Sequence, residues 1–448
     1  MLMSHDTGLL LIGAAAVAML IFLVSWCKFP PFIALILASL GVGFCAGQSP
    51  SAIIASFSEG VGSVLGSVAM ILALGAVLGQ GLALSGGAQR IGEALVTAFP
   101  KSWIPCALAC AAFLVGIPVF FSAGLVLLVP VVITAANQRG LPLARLGLPM
   151  VTGLSVAHGL VPPHPGPISA IGILHADVGK TIFYSLIIGF PTALIIGAFL
   201  APGLTRGEVS KPVAGSLPGN PVDSIPSRGS LGIALVTILA PVFLMLLGMV
   251  ADFYFPKSST LRLGADWLGN PIVAMLLGAL FSLAVLVWGQ GINKRQIAGL
   301  TEQCLTPLAS TMLVVGAGGG FSRVLVDSGV GIALAKQAAS SNISPLVLAW
   351  LVAAFIRVAT GSATVSITTG AGLIAPVIAA NPRLNRELVV LAMGAGSLAL
   401  SHVNDGGFWL VKEYLQLSVA QTLKTWTILE SAISILAFVL VLLLNFLI

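Results

Sequence analysis

Residues 157–167 read AHGLVPPHPGP, four prolines and two histidines inside a chain that is apolar almost from end to end. Proline has no backbone N–H and biases the residue before it away from helical geometry, so a helix that enters this stretch is expected to stop within it. In hydrocarbon, each backbone group left unpaired costs several kcal/mol, and an unwound segment survives only where protein or a watery cavity satisfies it. The prolines are therefore expected to end one helix and shape a break that lines a binding cavity.

The surrounding chain supports a bilayer setting. Of its 448 residues 58% are hydrophobic and only 8% charged, with a mean hydropathy of +1.09, outside the range of soluble globular proteins. Apolar runs long enough to cross ~30 Å of hydrocarbon recur along its length, with no polar segment large enough for a soluble domain. The expectation is one all-α, polytopic membrane domain. The first run (8–26) follows His5 and Asp6 rather than a basic segment, so a cleaved signal peptide is not expected. Five cysteines (Cys27, Cys45, Cys106, Cys110, Cys304) give neither a disulfide framework nor a metal site, and are read as small buried hydrophobes. The formal charge of +6 is read as topology, with no nucleic-acid partner.

The chain is written twice. LGSVAMILALGAVLGQGLALSGG (65–87) aligns without a gap to LASTMLVVGAGGGFSRVLVDSGV (308–330), an offset of 243 from Ser85 to Ser328 (328 − 85). MVTGLSVAHG (150–159) aligns to MGAGSLALSHV (393–403), pairing His158 with His402 at an offset of 244 (402 − 158). Each half then contains about five crossings and one run, 103–136 or 344–380, too long for one span and interrupted in its middle by GIPVFFSAG (116–124) or TGSATVSITTG (360–370). These two runs are expected to be re-entrant helical hairpins. An odd number of crossings inverts the second copy, giving inverted repeats at 1–202 and 229–448 joined by the Pro/Gly/Ser-rich linker 203–228. Lys and Arg concentrate on the linker's face, which predicts a cytoplasmic linker and both termini outside.

Four interruptions in symmetric pairs, at 116–124, 360–367, 157–167 and 401–407, suggest one shared site, where helix N-termini would offer N–H groups to an anion. The second tip carries Ser362, Thr364, Ser366, Thr368 and Thr369, hydroxyls that suit a polyhydroxylated solute or, alternatively, satisfy local helical carbonyls. Arg357, five residues upstream, has the fork geometry for a carboxylate, or for capping backbone carbonyls. Arg323 and Asp327, one turn apart, are expected to pair locally. Asp405 is a candidate proton carrier or a structural anchor of its break; Glu59, Glu302 and Glu430 are weaker rivals. His158, His164 and His402 can line a polar cavity or cap locally.

Enzyme signatures are missing. GKT at 179–181 lacks the leading glycine of a phosphate loop, since Leu174 stands there; Ser85 and Ser155 complete no nucleophile elbow; no zinc-protease motif occurs. Neither a cofactor nor a metal is expected, and a passive anion channel remains as the rival class.

Together HGLVPPHPGP (158–167), SGGAQRI (85–91), NISPLVLAW (342–350), GSATVSITTGAG (361–372) and SHVNDGGFWLVKEY (401–414) resemble the gluconate permease (GntP) family of the ion transporter superfamily over essentially the whole chain. The resemblance implies an inner-membrane H+ symporter of gluconate or of idonate, fructuronate, glycerate or D-serine, working by elevator-type movement; a homodimer is among the assemblies it allows. Three departures stand out: Ser122 where a glutamate is usual, Gln80 and Leu84 before SGGA, and Gly406 in place of a proline. On this reading Arg357 holds the substrate carboxylate; Ser362, Thr364, Ser366 and Asn404 meet its hydroxyls; His158, His402 and Ser122 complete the substrate lining; and Asp405 carries the proton.

Overall fold

The computed structural model describes residues 5–205, 230–256, 258–290, 299, 302, 305, 308–340, 343–381 and 383–448. Nearly all of the expected linker, 206–228, and Cys304 lie outside them. The described residues are helical throughout: α1 (His5–Ile21), α2 (Pro31–Cys45), α3 (Pro50–Leu84), α4 (Gly87–Ala98), α5 (Ile104–Gly116), α6 (Phe121–Arg139), α7 (Leu143–Leu160), α8 (Pro165–Leu174) and α9 (Val178–Gly203). There follow α10 (Leu231–Tyr254), α11 (Thr260–Gly269), α12 (Pro271–Gln290), α13 (Leu308–Asp327), α14 (Val330–Ser340), α15 (Pro345–Thr360), α16 (Ala363–Ala379), α17 (Arg386–Gly396), α18 (Gly406–Tyr414) and α19 (Val419–Leu447). Among the described residues seven helices are long and apolar enough to cross a membrane, eight when the bent pair α11–α12 is counted as one span.

Helix starts follow local chemistry. Proline opens α2, α3, α8, α12 and α15, where its missing N–H has no helical partner to lose. Ser49, Asp177, Ser230, Ser259, Asn385 and Ser418 each accept a first-turn N–H. The order of elements recurs from one half to the other: α14 begins 243 residues after α4 (330 − 87), and α17 the same distance after α7 (386 − 143).

Burial sorts the helices into two kinds. Nearly every residue of α7 and α8 is buried, as are most of α5, α16 and α17, which fits helices apolar on all sides and wrapped by others. By contrast α1, α10, α12 and α19 expose large apolar side chains such as Leu11, Phe243, Leu280, Leu443 and Phe446, the surface a bilayer would cover. Helices α3 and α13 cross at glycine: a Cβ on Gly60 would lie 2.4 Å from the Gly319 carbonyl oxygen, and one on Gly319 2.6 Å from that of Gly60. Side chains at those two positions would push the helices apart.

Several details differ from expectation. Helix α3 runs 35 residues, starting ahead of the apolar stretch that the sequence shows from 65, because Ser49 and Pro50 supply the start signal and the polar residues that follow are tolerated on its first turns. Cys27 and Cys45 are exposed, and Cys106 and Cys110 half-buried, so the four described cysteines are not core residues; an apolar run also has an outward face. The Arg323–Asp327 pair forms, Nε to Oδ2 at 3.0 Å, and Arg323 also reaches Glu59 at 3.3 Å.

Candidate functional site

All four expected interruptions exist. Helix α7 stops at Leu160 because Val161, preceding Pro162, takes an extended conformation (φ −102°, ψ 120°); His164 does likewise before Pro165, which opens α8. The break between α5 and α6 lies at 117–120 and that between α15 and α16 at Gly361 and Ser362 alone. Between α17 and α18 the chain is irregular over 397–405, earlier and longer than the expected 401–407. The second tip is therefore tight, and Thr364, Ser366, Thr368 and Thr369 sit inside α16 rather than on unwound chain.

Three of these breaks, with the last turns of α7, meet at a cavity of about 370 Å³, lined by Phe120, Phe121, Ser122, Ser155, His158, Arg357, Gly361 to Thr364, Leu398, Asp405 to Gly407, Leu410, Trp426 and Glu430. Three helix N-termini open onto it: α6, whose N-cap residue Phe120 supplies no side-chain cap; α16, capped by Ser362; and α18, capped by Asp405. Unpaired first-turn N–H groups and the positive ends of three helix dipoles favour an anion there.

Its one lining cation is Arg357, on the last turn of α15, with a side chain 4% exposed. Nη1 donates to the Gly361 carbonyl at 2.5 Å, closing the hairpin tip, and Nη2 donates to Asp405 Oδ2 at 2.5 Å. Among the described residues its buried Nε has no acceptor. Asp405 is fully engaged: Oδ2 also accepts from Ser401 Oγ, and Oδ1 accepts the Gly407 N–H at 2.8 Å. Ser401 in turn accepts from Trp426 Nε1 at 2.8 Å. The arrangement is a buried ion pair joining the tip of one hairpin to the break between α17 and α18.

On the opposite side, His158 Nδ1 lies 3.3 Å from His164 Nδ1, and His164 Nε2 lies 2.5 Å from the Gly116 carbonyl. Glu430, 1% exposed, accepts from Ser155 Oγ at 2.5 Å through Oε1.

Of the residues singled out from sequence, Arg357, Asp405, His158, Ser122, Ser362 and Thr364 converge on this cavity. The hydroxyls of Ser122 and Thr364 make no hydrogen bond among the described residues and are free for a solute. Ser366, Asn404 and His402 are not brought to it. Ser366 is fully buried and donates to the Ala353 carbonyl at 2.5 Å, Asn404 Nδ2 donates to the Val358 carbonyl at 2.9 Å, and His402 Nδ1 lies 2.8 Å from the Leu400 carbonyl. These three brace the breaks. Sequence reasoning left Glu430, Trp426 and Ser155 out of the substrate lining; a lone acid inside the last apolar span was the available signal for Glu430.

Gly361 allows the tight tip. Its φ is +72°, and a Cβ would lie 2.3 Å from the Asn404 backbone oxygen. Gly361→Ala is expected to cost about 2 kcal/mol or more, combining left-handed strain with a backbone clash. Unfolding of the detergent-purified protein measures it, with Gly66→Ala, which meets nothing within 4 Å, as the neutral control.

The profile of the GntP family permeases matches residues 8–447. The chain is 47% identical over 447 residues, 99% of each chain, to a gluconate permease of Pseudomonas aeruginosa. To the high-affinity gluconate transporter of Escherichia coli it is 41% identical, covering 97% of this chain and 99% of the relative, and to that organism's L-idonate transporter 40%, with the same coverage. Among solved structures it is similar in fold to the YdaH transporter of Alcanivorax borkumensis, with a TM-score of 0.68, 18% identity, and coverage of 93% of this chain and 98% of that one.

Proposed function

The chain belongs to the GntP permease family, and from that premise we propose that it is a proton-coupled symporter of gluconate or a closely related sugar acid in a bacterial inner membrane. The observation that carries this reading is the buried Arg357–Asp405 pair at the meeting point of three helix N-termini. The cavity suits a small carboxylate, since it combines one guanidinium fork, free N–H groups and unpartnered hydroxyls.

Asp405 occupies the guanidinium. An arriving carboxylate competes for the same fork, and Asp405, once displaced, would be left as an unpaired charge in a poorly solvated site. Taking up a proton removes that cost. One monoanion and one proton then enter together, and the loaded chamber keeps the net charge of the empty one. This gives the coupling a physical cause. Ser122, Ser362 and Thr364 would meet substrate hydroxyls, while Ser366, Asn404 and His402 hold the breaks in register.

The recurring helix order is consistent with two inverted repeats, 1–202 and 229–448, moving one hairpin-bearing body against a lipid-facing frame. In that arrangement the linker is cytoplasmic and both termini are periplasmic.

A competition screen in proteoliposomes under an imposed inward pH gradient tests the function. Sugar acids are expected to be accumulated, gluconate and its epimer idonate ahead of glycerate and D-serine, and an uncoupler should abolish accumulation. Entry of sugar acids that only equilibrates and ignores the uncoupler would support a channel instead.

A further inference from the structure

The wall formed by α7 and α19 faces the cavity with hydrogen-bonding groups. The Gly116 carbonyl can only accept, so the nitrogen 2.5 Å from it, His164 Nε2, carries a hydrogen. With both rings neutral, His164 Nδ1 is then a lone pair, and His158 Nδ1, 3.3 Å away, must donate to it. His158 Nε2 is thereby left as an acceptor, with no partner among the described residues. Glu430 lines the same cavity, with Oε1 held by Ser155 and no donor to Oε2 among the described residues. The charged and titratable groups sharing the cavity with Glu430 are Arg357 on α15, Asp405 at the start of α18 and His158 on α7. None is paired to it, because Arg357 is committed to Asp405. The rings of Phe121 and Trp426, with centroids 5.6 Å apart, add apolar surface to the same cavity.

Polar groups that face a poorly solvated cavity call for partners, and a solute rich in hydroxyls would supply them while its C–H groups lie against the aromatic rings. We propose that Glu430, anchored by Ser155 and seconded by His158 Nε2, is the specificity-determining residue that selects hydroxylated acids by hydrogen-bonding to substrate hydroxyls. The assignment deepens the sugar-acid reading and rests on it. A site built to bond a hydroxyl rejects the analogue that lacks it, because the protein's polar atom is left unpaired. Discrimination therefore arises at the α7–α19 wall, whereas Arg357 takes the carboxylate common to all candidates.

The test crosses removal of the protein group with removal of the substrate hydroxyl. Inhibition constants for gluconate and a set of single-deoxy gluconates are measured by counterflow in proteoliposomes, for wild type, Glu430→Met and Glu430→Gln, with thermal unfolding as the folding control. In the wild type at least one deoxy acid is expected to bind about tenfold or more worse than gluconate. Glu430→Met should bring gluconate down to that analogue, leaving the two within about threefold, while Glu430→Gln, which keeps an acceptor, should retain most of the discrimination. Ser155→Ala, which frees the carboxyl from its anchor, should loosen discrimination without removing it.

Parallel weakening of gluconate and every deoxy analogue in Glu430→Met would reduce Glu430 to a structural role and overturn the assignment. Unchanged discrimination in Glu430→Met would do the same. So would a Glu430→Gln protein that binds normally but no longer accumulates substrate under a pH gradient, since that outcome assigns Glu430 to proton handling. Failure of the sugar-acid reading itself looks different: the wild type would then bind no sugar acid at all.

Discussion

Replacing Arg357 with alanine is expected to weaken binding of a monoanionic sugar acid on the order of 100-fold or more. The loss corresponds to roughly 3 kcal/mol, within the range for removing one member of a buried charge-paired contact. Arg357 is the cavity's one lining cation, and the three helix N-termini that remain offer partial charges only. Lysine at the same position should recover part of the affinity, because it restores the charge without the two-pronged fork. Equilibrium binding to purified protein measures both variants. Affinity within a fewfold of wild type for Arg357→Ala would remove the arginine from the substrate site. The variant also strips Asp405 of its partner at a side chain only 12% exposed, so binding should be compared in an Asp405→Asn background as well. There the unpaired carboxylate is gone and the loss of affinity should persist.

The second large effect concerns coupling. Asparagine at 405 keeps the size of the side chain and is a good N-cap, so α18 should still start at Gly406. What it cannot do is take up a proton. In the wild type, apparent affinity for the acid should rise as pH falls, because protonation of Asp405 releases the guanidinium, and by linkage the acid's binding favours that protonation. In Asp405→Asn this pH dependence should flatten. A gradient of one pH unit, able to drive about tenfold accumulation of one solute per proton, should drive almost none, while exchange of labelled for unlabelled substrate continues. Concentrative uptake at wild-type levels would show that Asp405 is not the coupling residue.

How much of this site the sequence disclosed depends on how local the determining physics is. The break at 161–164 was legible because Pro162 and Pro165 act on their immediate neighbours. The second break was placed four residues late, because nothing in SLAL (397–400) forbids helix; the chain unwinds there without a proline. The breaks inside 103–136 and 344–380 were legible from runs too long for one span. Which hydroxyls face the cavity was not. Thr364 and Ser366 lie two residues apart, and only the packing of α16 against α15 turns the first toward the cavity and the second onto the Ala353 carbonyl. Likewise Asp405 and Arg357 were chosen separately, one as a proton carrier and one as an anion site. Their direct contact across 48 residues is a tertiary fact no local pattern encodes. Glu430 was visible as an acid in an apolar span, yet its place in the same cavity depends on how α19 packs beside α7.

The central claim is an exchange of partners on Arg357. A structure of the protein with gluconate bound tests it most directly. The carboxylate of the sugar acid is expected within hydrogen-bonding distance of the Arg357 guanidinium, with the Asp405 carboxyl moved off it. A bound acid lying elsewhere while Arg357 and Asp405 remain paired would contradict the account.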